Sequence, residues 1–98
     1  MAVLGLTVTL GAEVGPYGVR VNSLSPGPVA GPRMTRNFAH EAVRRGITPA
    51  EAEAELIERA TLRRLVQEEE VAAAVLAMLT MTGLHCADVD LSAGMVAR

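Results

Sequence analysis

A chain of 98 residues holds at most one small domain. Half of it is hydrophobic, mostly Ala, Val and Leu, with one Phe, one Tyr and no Trp; such a composition favours helices packed closely on another surface over a self-sufficient core. The net charge of −2 leaves no basic footprint and argues against nucleic acid as a partner.

Met1 to Val14 reads as a helix, because Val3, Leu6, Leu10 and Val14 recur at three- to four-residue spacing and form one apolar face. Gly5 and Gly11 inside it suggest close packing against another backbone. No Ser, Thr, Asp or Asn precedes it, so the helix is expected to be the remainder of a longer one. Its apolar start, Met1 to Leu10, lacks a basic flank and a cleavage site and is too short to cross a bilayer. It is therefore expected to be neither a signal peptide nor a membrane helix. Gly15-Pro16 ends the helix.

Val19 to Leu24 is the first expected strand, bounded by Gly and Pro on both sides and carrying Val19, Val21 and Leu24 as a buried parallel strand would. Ser25 to Pro32 is a loop with three prolines and two glycines. Arg33 to Arg45 is a weakly amphipathic helix with Met34, Phe38 and Val43 as its apolar points, broken by Gly46. Thr48-Pro49-Ala50-Glu51 opens the next helix with a capping box and Pro at the first helical position. That helix runs to about Ala60 and solvates Glu51, Glu53, Glu55 and Glu58.

Thr61 to Gln67 connects to the clearest helix, Glu68 to about Thr80. Its first turn carries Glu68, Glu69 and Glu70, where the helix dipole favours anions, and Val71, Val75, Met78 and Leu79 form its expected buried stripe. Gly83 stops it. Ala87 to Leu91 alternates Val89 and Leu91 with aspartates and is the second expected strand, closed by Ser92-Ala93-Gly94. Two strands joined by a long helical crossover make a parallel pair, and ligands bind beyond the carboxyl ends of such strands. Ser25 to Pro32 leaves that end of the first strand, with Gly27 permitting close approach and Pro26 and Pro28 fixing the loop.

Cys86 is the only cysteine, so neither a disulfide framework nor a cysteine-based metal centre is available, as in a protein of the reducing cytoplasm. It reads as a small buried apolar residue. His40 and His85 lie far apart without metal-ligand spacing, and no metal is expected.

Gly18-Val19-Arg20-Val21-Asn22 followed by Ser25-Pro26-Gly27 closely resembles the signature of the short-chain dehydrogenase/reductase family. Leu4-Gly5-Leu6-Thr7 with Leu10 and Glu13 resembles the helix after that family's catalytic Tyr and Lys. Residues 33–60 resemble the variable substrate lid, Arg64-Leu65-Val66 with Glu70-Val71-Ala72 the helix that follows it, and Gly83 to Gly94 the final strand and closing turn. The resemblance implies an α/β fold: a C-terminal fragment of a Rossmann-like doubly wound sheet, about two parallel strands with helices and a lid. Residues 1–98 would then form a single partial domain.

The activity implied is NAD- or NADP-dependent interconversion of a carbonyl and an alcohol on a small-molecule substrate. The cofactor-binding positions implied are Pro26, Gly27, Pro28, Val29 and Gly31, with the Val29 backbone on the nicotinamide carboxamide. The family usually has Thr where this chain has Gly31, and Asp-Gly-Gly where it has Ser92-Ala93-Gly94. Met34 and Phe38, with Met81, make the lid apolar without naming a substrate.

What is missing matters as much. The family reaction needs a Tyr acid/base, a Lys that lowers its pKa and a Ser that orients the oxygen. This chain has no lysine, since all nine basic residues are arginine, and arginine does not deprotonate. Tyr17, the only tyrosine, lies in the turn before the first strand, and the glycine-rich dinucleotide motif is absent. The chain is therefore expected to be inactive alone and to bind no cofactor tightly. The alternative is a non-catalytic interaction or oligomerisation fragment, or a pseudogene product. The resemblance also implies self-association, since the matching helices and last strand commonly lie at subunit interfaces.

Overall fold

The computed structural model describes residues 2–95. Helix α1, Ala2–Val14, has no acidic residue in its first turn and no basic residue in its last. A single 3-10 turn, Gly15–Tyr17, follows it and is closed by Gly18 at φ 78°, whose N–H donates to the Gly15 carbonyl. Tyr17 stands there 84 % exposed. Met1 lies outside the described residues.

Strand β1 is Ser23–Pro26 and strand β2 is Asp88–Leu91, paired in parallel from Ser23 opposite Asp88 to Pro26 opposite Leu91. The sheet has these two strands among the described residues. The expected start of β1 at Val19 is corrected to Ser23. Ahead of Ser23 the backbone is held largely by side chains: the Val21 N–H donates to His85 Nδ1, and Asn22 spans Leu84 and Ala87. The ladder itself begins where the Ser23 N–H reaches the Ala87 carbonyl. On one face of the pair, the Asp88 carboxylate accepts from both Ser23 and Ser25 hydroxyls, at 2.7 and 2.8 Å.

Between the strands run α2 (Pro32–Arg45), α3 (Pro49–Glu58) and α4 (Glu68–Thr80). Gly46 at φ 67° ends α2 by donating its N–H to the Ala42 carbonyl. The capping box forms as the sequence implies: the Glu51 N–H donates to Thr48 Oγ1 and the Thr48 N–H to Glu51 Oε1. At α4 the Gln67 N–H donates to Glu70 Oε1.

The core lies past the carboxyl ends of the strands. Ala60, Val66 and Ala93 are buried there, with Val29, Val71, Leu91 and Met95 packed on them. Two expected apolar stripes are corrected. On α1 the buried side is Thr7 and Gly11, while Val3 and Leu6 are each 65 % exposed. On α4, Val71 and Met78 are half-buried but Val75 and Leu79 face solvent. Periodicity identified the apolar positions, but the residues of this chain cover a different side. Gly11 packs on Cys86 and His85 side chains rather than on backbone, and Gly5 has open space beside it. Cys86 is half-buried at φ 57°, not enclosed.

The molecule is elongated, 55 × 24 × 22 Å, with a radius of gyration of 16.8 Å; a compact chain of this length would measure about 13 Å. Its accessible surface of 6696 Å² exceeds the roughly 5,400 Å² of a folded monomer of this size.

Candidate functional site

The loop from Pro26 to Gly31 leaves the carboxyl end of β1 and is fixed by backbone bonds on both flanks. The Gly27 N–H donates to the Leu91 carbonyl at 2.9 Å, the Ala30 N–H to the Val66 carbonyl at 2.8 Å, and the Val66 N–H to the Pro28 carbonyl at 3.2 Å. Gly27 is glycine for a steric reason: a Cβ there would sit 2.8 Å from Ser92 Cβ and 2.9 Å from its Cα. The two turns at the strand ends thus touch backbone to backbone.

Val29 forms an isolated parallel bridge with Val66. In that geometry its neighbours Pro28 and Ala30 make the hydrogen bonds, so the N–H and C=O of Val29 itself point away from Val66. Among the described residues neither takes a hydrogen-bond partner. A donor and an acceptor on one residue, held at the ligand-facing edge of a parallel sheet, suit an amide-bearing ligand.

Gly31 precedes the first turn of α2. A Cβ on it would lie 2.7 Å from Glu68 Oε1, so the Glu68 carboxylate stands over the position. The Thr35 hydroxyl donates to the Gly31 carbonyl at 3.1 Å. Neither Glu68 nor Thr35 was singled out by the sequence; Glu68 is far from the loop in the chain and gives no local signal of its place.

Two grooves lie between α2 and its neighbours. The smaller, about 220 Å³, adjoins the loop and is lined by Ala30, Gly31, Met34, Phe38, Glu53 and Leu65 among others. The larger, about 310 Å³, lies between α2 and α3 over Met34, Phe38, Ala52 and Leu56. Met34 and Phe38 therefore line both. Met81 is corrected: it follows the last residue of α4, where its carbonyl accepts from Arg20, and has no place among the lining residues. Across the larger groove the Arg45 guanidinium grips Glu55 at 2.6 and 3.0 Å and also pairs with Glu41 at 3.6 Å. These pairs hold both carboxyls below their ordinary range; hydrogen bonding from Arg45 is the main cause at Glu55, and from Arg44 at Glu41.

No group of His, Cys, Asp or Glu among the described residues could hold a metal ion. No helix among them is long and apolar enough to cross a membrane.

A family profile described as enoyl-(acyl carrier protein) reductase matches residues 1–83. The chain belongs to the short-chain dehydrogenase/reductase family. Similar solved structures agree. A short chain dehydrogenase family protein from Francisella tularensis subsp. tularensis SCHU S4 superposes with a TM-score of 0.87 at 24 % identity, over 95 % of this chain and 39 % of its own. A 3-oxoacyl-[acyl-carrier protein] reductase from Brucella melitensis is 31 % identical with a TM-score of 0.77, over 99 % of this chain and 33 % of its own. L-sorbose reductase from Gluconobacter frateurii, complexed with NADPH and L-sorbose, shares the fold at 21 % identity and a TM-score of 0.84, over 99 % of this chain and 38 % of its own. The chain thus spans between a third and two fifths of the length of these three structures.

Proposed function

We propose that this chain supplies the nicotinamide-side loop and the substrate lid of an NAD(P)-dependent oxidoreductase that interconverts a carbonyl and an alcohol. The observation that carries the reading is Val29, whose free N–H and C=O face out from the loop at the end of β1. In this reading they hold the carboxamide of the nicotinamide, Pro26, Gly27 and Pro28 fix the loop, and Gly31 ends it beneath the Glu68 carboxylate. The cofactor supplies hydride chemistry when bound; Met34 and Phe38 supply an apolar wall for a small-molecule substrate.

The chain carries no Lys, and its Tyr17 lies outside the loop and the grooves. The proton-transfer residues must then come from elsewhere, and the 98-residue chain alone oxidises no NAD(P)H. The expected result is no loss of NADPH absorbance above a buffer control with a panel of aldehydes and ketones. Turnover by the pure chain overturns this part of the reading. An in-frame Tyr-x-x-x-Lys in the coding sequence before Met1 supports the enzyme reading.

A second reading, a non-catalytic interaction fragment, is favoured by one observation: the accessible surface of 6696 Å², with Val3, Leu6, Leu76 and Leu79 each 65 % exposed. It predicts self-association in sedimentation at micromolar concentration, and a monodisperse monomer argues against it.

A further inference from the structure

We propose that Glu68 discriminates between the two charge states of the nicotinamide: its carboxylate favours the oxidised, cationic ring over the reduced, neutral one at the Val29 loop. The inference rests on the reading of Val29 as the residue that holds the carboxamide. Glu68 is the first residue of α4, yet the fold sets its Oε1 2.7 Å from where a Cβ on Gly31 would stand. Apart from the residues next to Gly31 in the chain, only Glu68 comes within 4 Å of that point. Gly31 closes the loop two residues after Val29, so their Cα atoms are at most about 7 Å apart. That is shorter than the Debye length of about 8 Å at physiological salt, and a charge over Gly31 is felt at Val29.

The carboxylate is uncommitted. Glu70, in the same turn, is gripped by Arg64, whereas no arginine pairs with Glu68 among the described residues. Arg33, two residues on from Gly31, is exposed and lines neither groove beside α2. No base lines the groove that adjoins the loop, and its one charged residue is Glu53. The two redox states of nicotinamide carry the same carboxamide and differ by one positive charge on the ring. Val29 meets the shared part and cannot tell them apart; a fixed anion beside it can. Where the resemblance implies Thr, a neutral hydroxyl, this chain has Gly31 and, over it, a carboxylate from another helix. A side chain at Gly31 would collide with Glu68, so the two positions belong together. Glu68 is exposed, and its preference is that of a single solvated ion pair, about fivefold at most. An acid in the first turn of α4 also complements the helix dipole, but Glu69 does the same without standing over Gly31.

Two probes share the carboxamide and differ in charge: neutral nicotinamide and the ring-methylated nicotinamide cation. Each is titrated at millimolar concentration into the full chain at neutral pH, with backbone amide shifts followed residue by residue. Both should shift the Val29 and Gly31 amides. The cation should bind about fivefold more tightly at low salt, and the gap should shrink as salt rises. Glu68→Gln keeps the size and an acceptor oxygen, and should close the gap by weakening the cation alone. Glu69→Gln, the same loss of charge one residue along, should leave the gap in place. Melting of both variants checks their folds and isolates the dipole role, which would lower both melting temperatures alike and leave the gap intact. If Glu68→Gln does not fold, Glu68→Asp is read in its place; it draws the carboxylate back and should narrow the gap. Equal affinities in the unchanged chain, a gap that survives the change at Glu68, or one that closes as far in Glu69→Gln overturns the role of Glu68 and leaves that of Val29 standing. If neither probe moves Val29, the loop reading itself fails and this inference falls with it.

Discussion

The two ends of β1 are held by different chemistry. At its amino end most anchors are side chains, beside backbone bonds from the Cys86 N–H to the Val21 carbonyl and from the Ser23 N–H to the Ala87 carbonyl. The Arg20 guanidinium donates to the carbonyls of Met78, Leu79, Met81 and Leu84, at 2.9 to 3.3 Å, and so caps the end of α4 with a positive charge. Asn22 gives its amide to the Leu84 carbonyl and accepts from the Ala87 N–H. His85 accepts from the Val21 N–H at Nδ1, which leaves the proton on Nε2 to donate to the Gly11 carbonyl of α1. At its carboxyl end the anchors are backbone: Gly27 to Leu91, Ala30 to Val66, Thr61 to Gly94 and Leu62 to Ala93. One end positions helices on the sheet. The other pins the loop and the chain after α3 around Ala60, Val66 and Ala93.

The difference predicts which substitutions each end tolerates. A side-chain anchor fails when one side chain is removed; a backbone anchor fails only when a Cβ or a dihedral forbids it. The largest effect is expected at Arg20. Arg20→Ala takes a charged donor from four carbonyls, of which that of Leu79 has no other partner among the described residues, and should destabilise by about 2–3 kcal/mol. Arg20→Lys should recover only part of this, because an ammonium cannot spread over four acceptors as the planar fork does. Urea melts of the three proteins read it; Lys matching Arg would show that charge alone, not the fork, holds the end of α4.

At the backbone end the sharp test is Gly27→Ala. The new methyl would lie 2.8 Å from Ser92 Cβ, and the two turns must separate. A loss of about 1–3 kcal/mol is expected, as for overpacking elsewhere. Pro28→Ala, which keeps the carbonyl that accepts from Val66, should cost less than half as much. Equal losses would show that the loop is held by proline stiffness rather than by contact.

These anchors differ in how far the sequence announced them. The Pro26-Gly27 turn, the Thr48–Glu51 box and the Gly46 cap are local signals, carried by residues within one turn of each other, and they were legible. So were the parallel pair and the helices between its strands, through the order of elements. The Arg20 fork was not: its acceptors lie about 60 residues away in the chain, and carbonyls carry no sequence identity. Glu68 over Gly31 was hidden for the same reason. The stripes on α1 and α4 failed differently. Apolar spacing identifies a face that wants cover, but Val3, Leu6, Val75 and Leu79 find none among these residues.

Ala93 sharpens the comparison in the opposite direction, since its change should stabilise. It holds φ 55° in the closing turn, a left-handed conformation that an alanine Cβ disfavours. Its carbonyl accepts from the Leu62 N–H, so the turn cannot relax without giving up its hold on the segment after α3. The resemblance places glycine at this position in the family's closing turn. Ala93→Gly should raise stability by about 0.5–1 kcal/mol, the relief of strain exceeding the extra freedom of the unfolded chain. A loss in thermal or urea melts would mean that the buried methyl against Ala60 and Val66 matters more than the dihedral.

The smallest effect is electrostatic and belongs to the segment joining the two kinds of anchor. Glu70 accepts from both Arg64 nitrogens, at 2.6 and 3.0 Å, and from the Gln67 N–H at 3.0 Å. The Arg64 hydrogen bonds and then the Gln67 backbone hold its carboxyl down at about 2. A carboxyl whose folded pKa is depressed stabilises the fold above its unfolded value, roughly 4.3, and that contribution is lost as pH falls towards the folded value. The contribution should therefore be whole at pH 6, decline below about pH 5, and be mostly lost by about pH 2. Because the pair is exposed, salt should weaken it. Glu70→Gln isolates it: wild type and variant should differ in melting temperature at pH 6 and converge as pH approaches 2, with Glu41, Glu51 and Glu55 titrating alike in both. A gap that persists unchanged to low pH would mean that Glu70 acts through its shape at the start of α4 and not through its charge on Arg64.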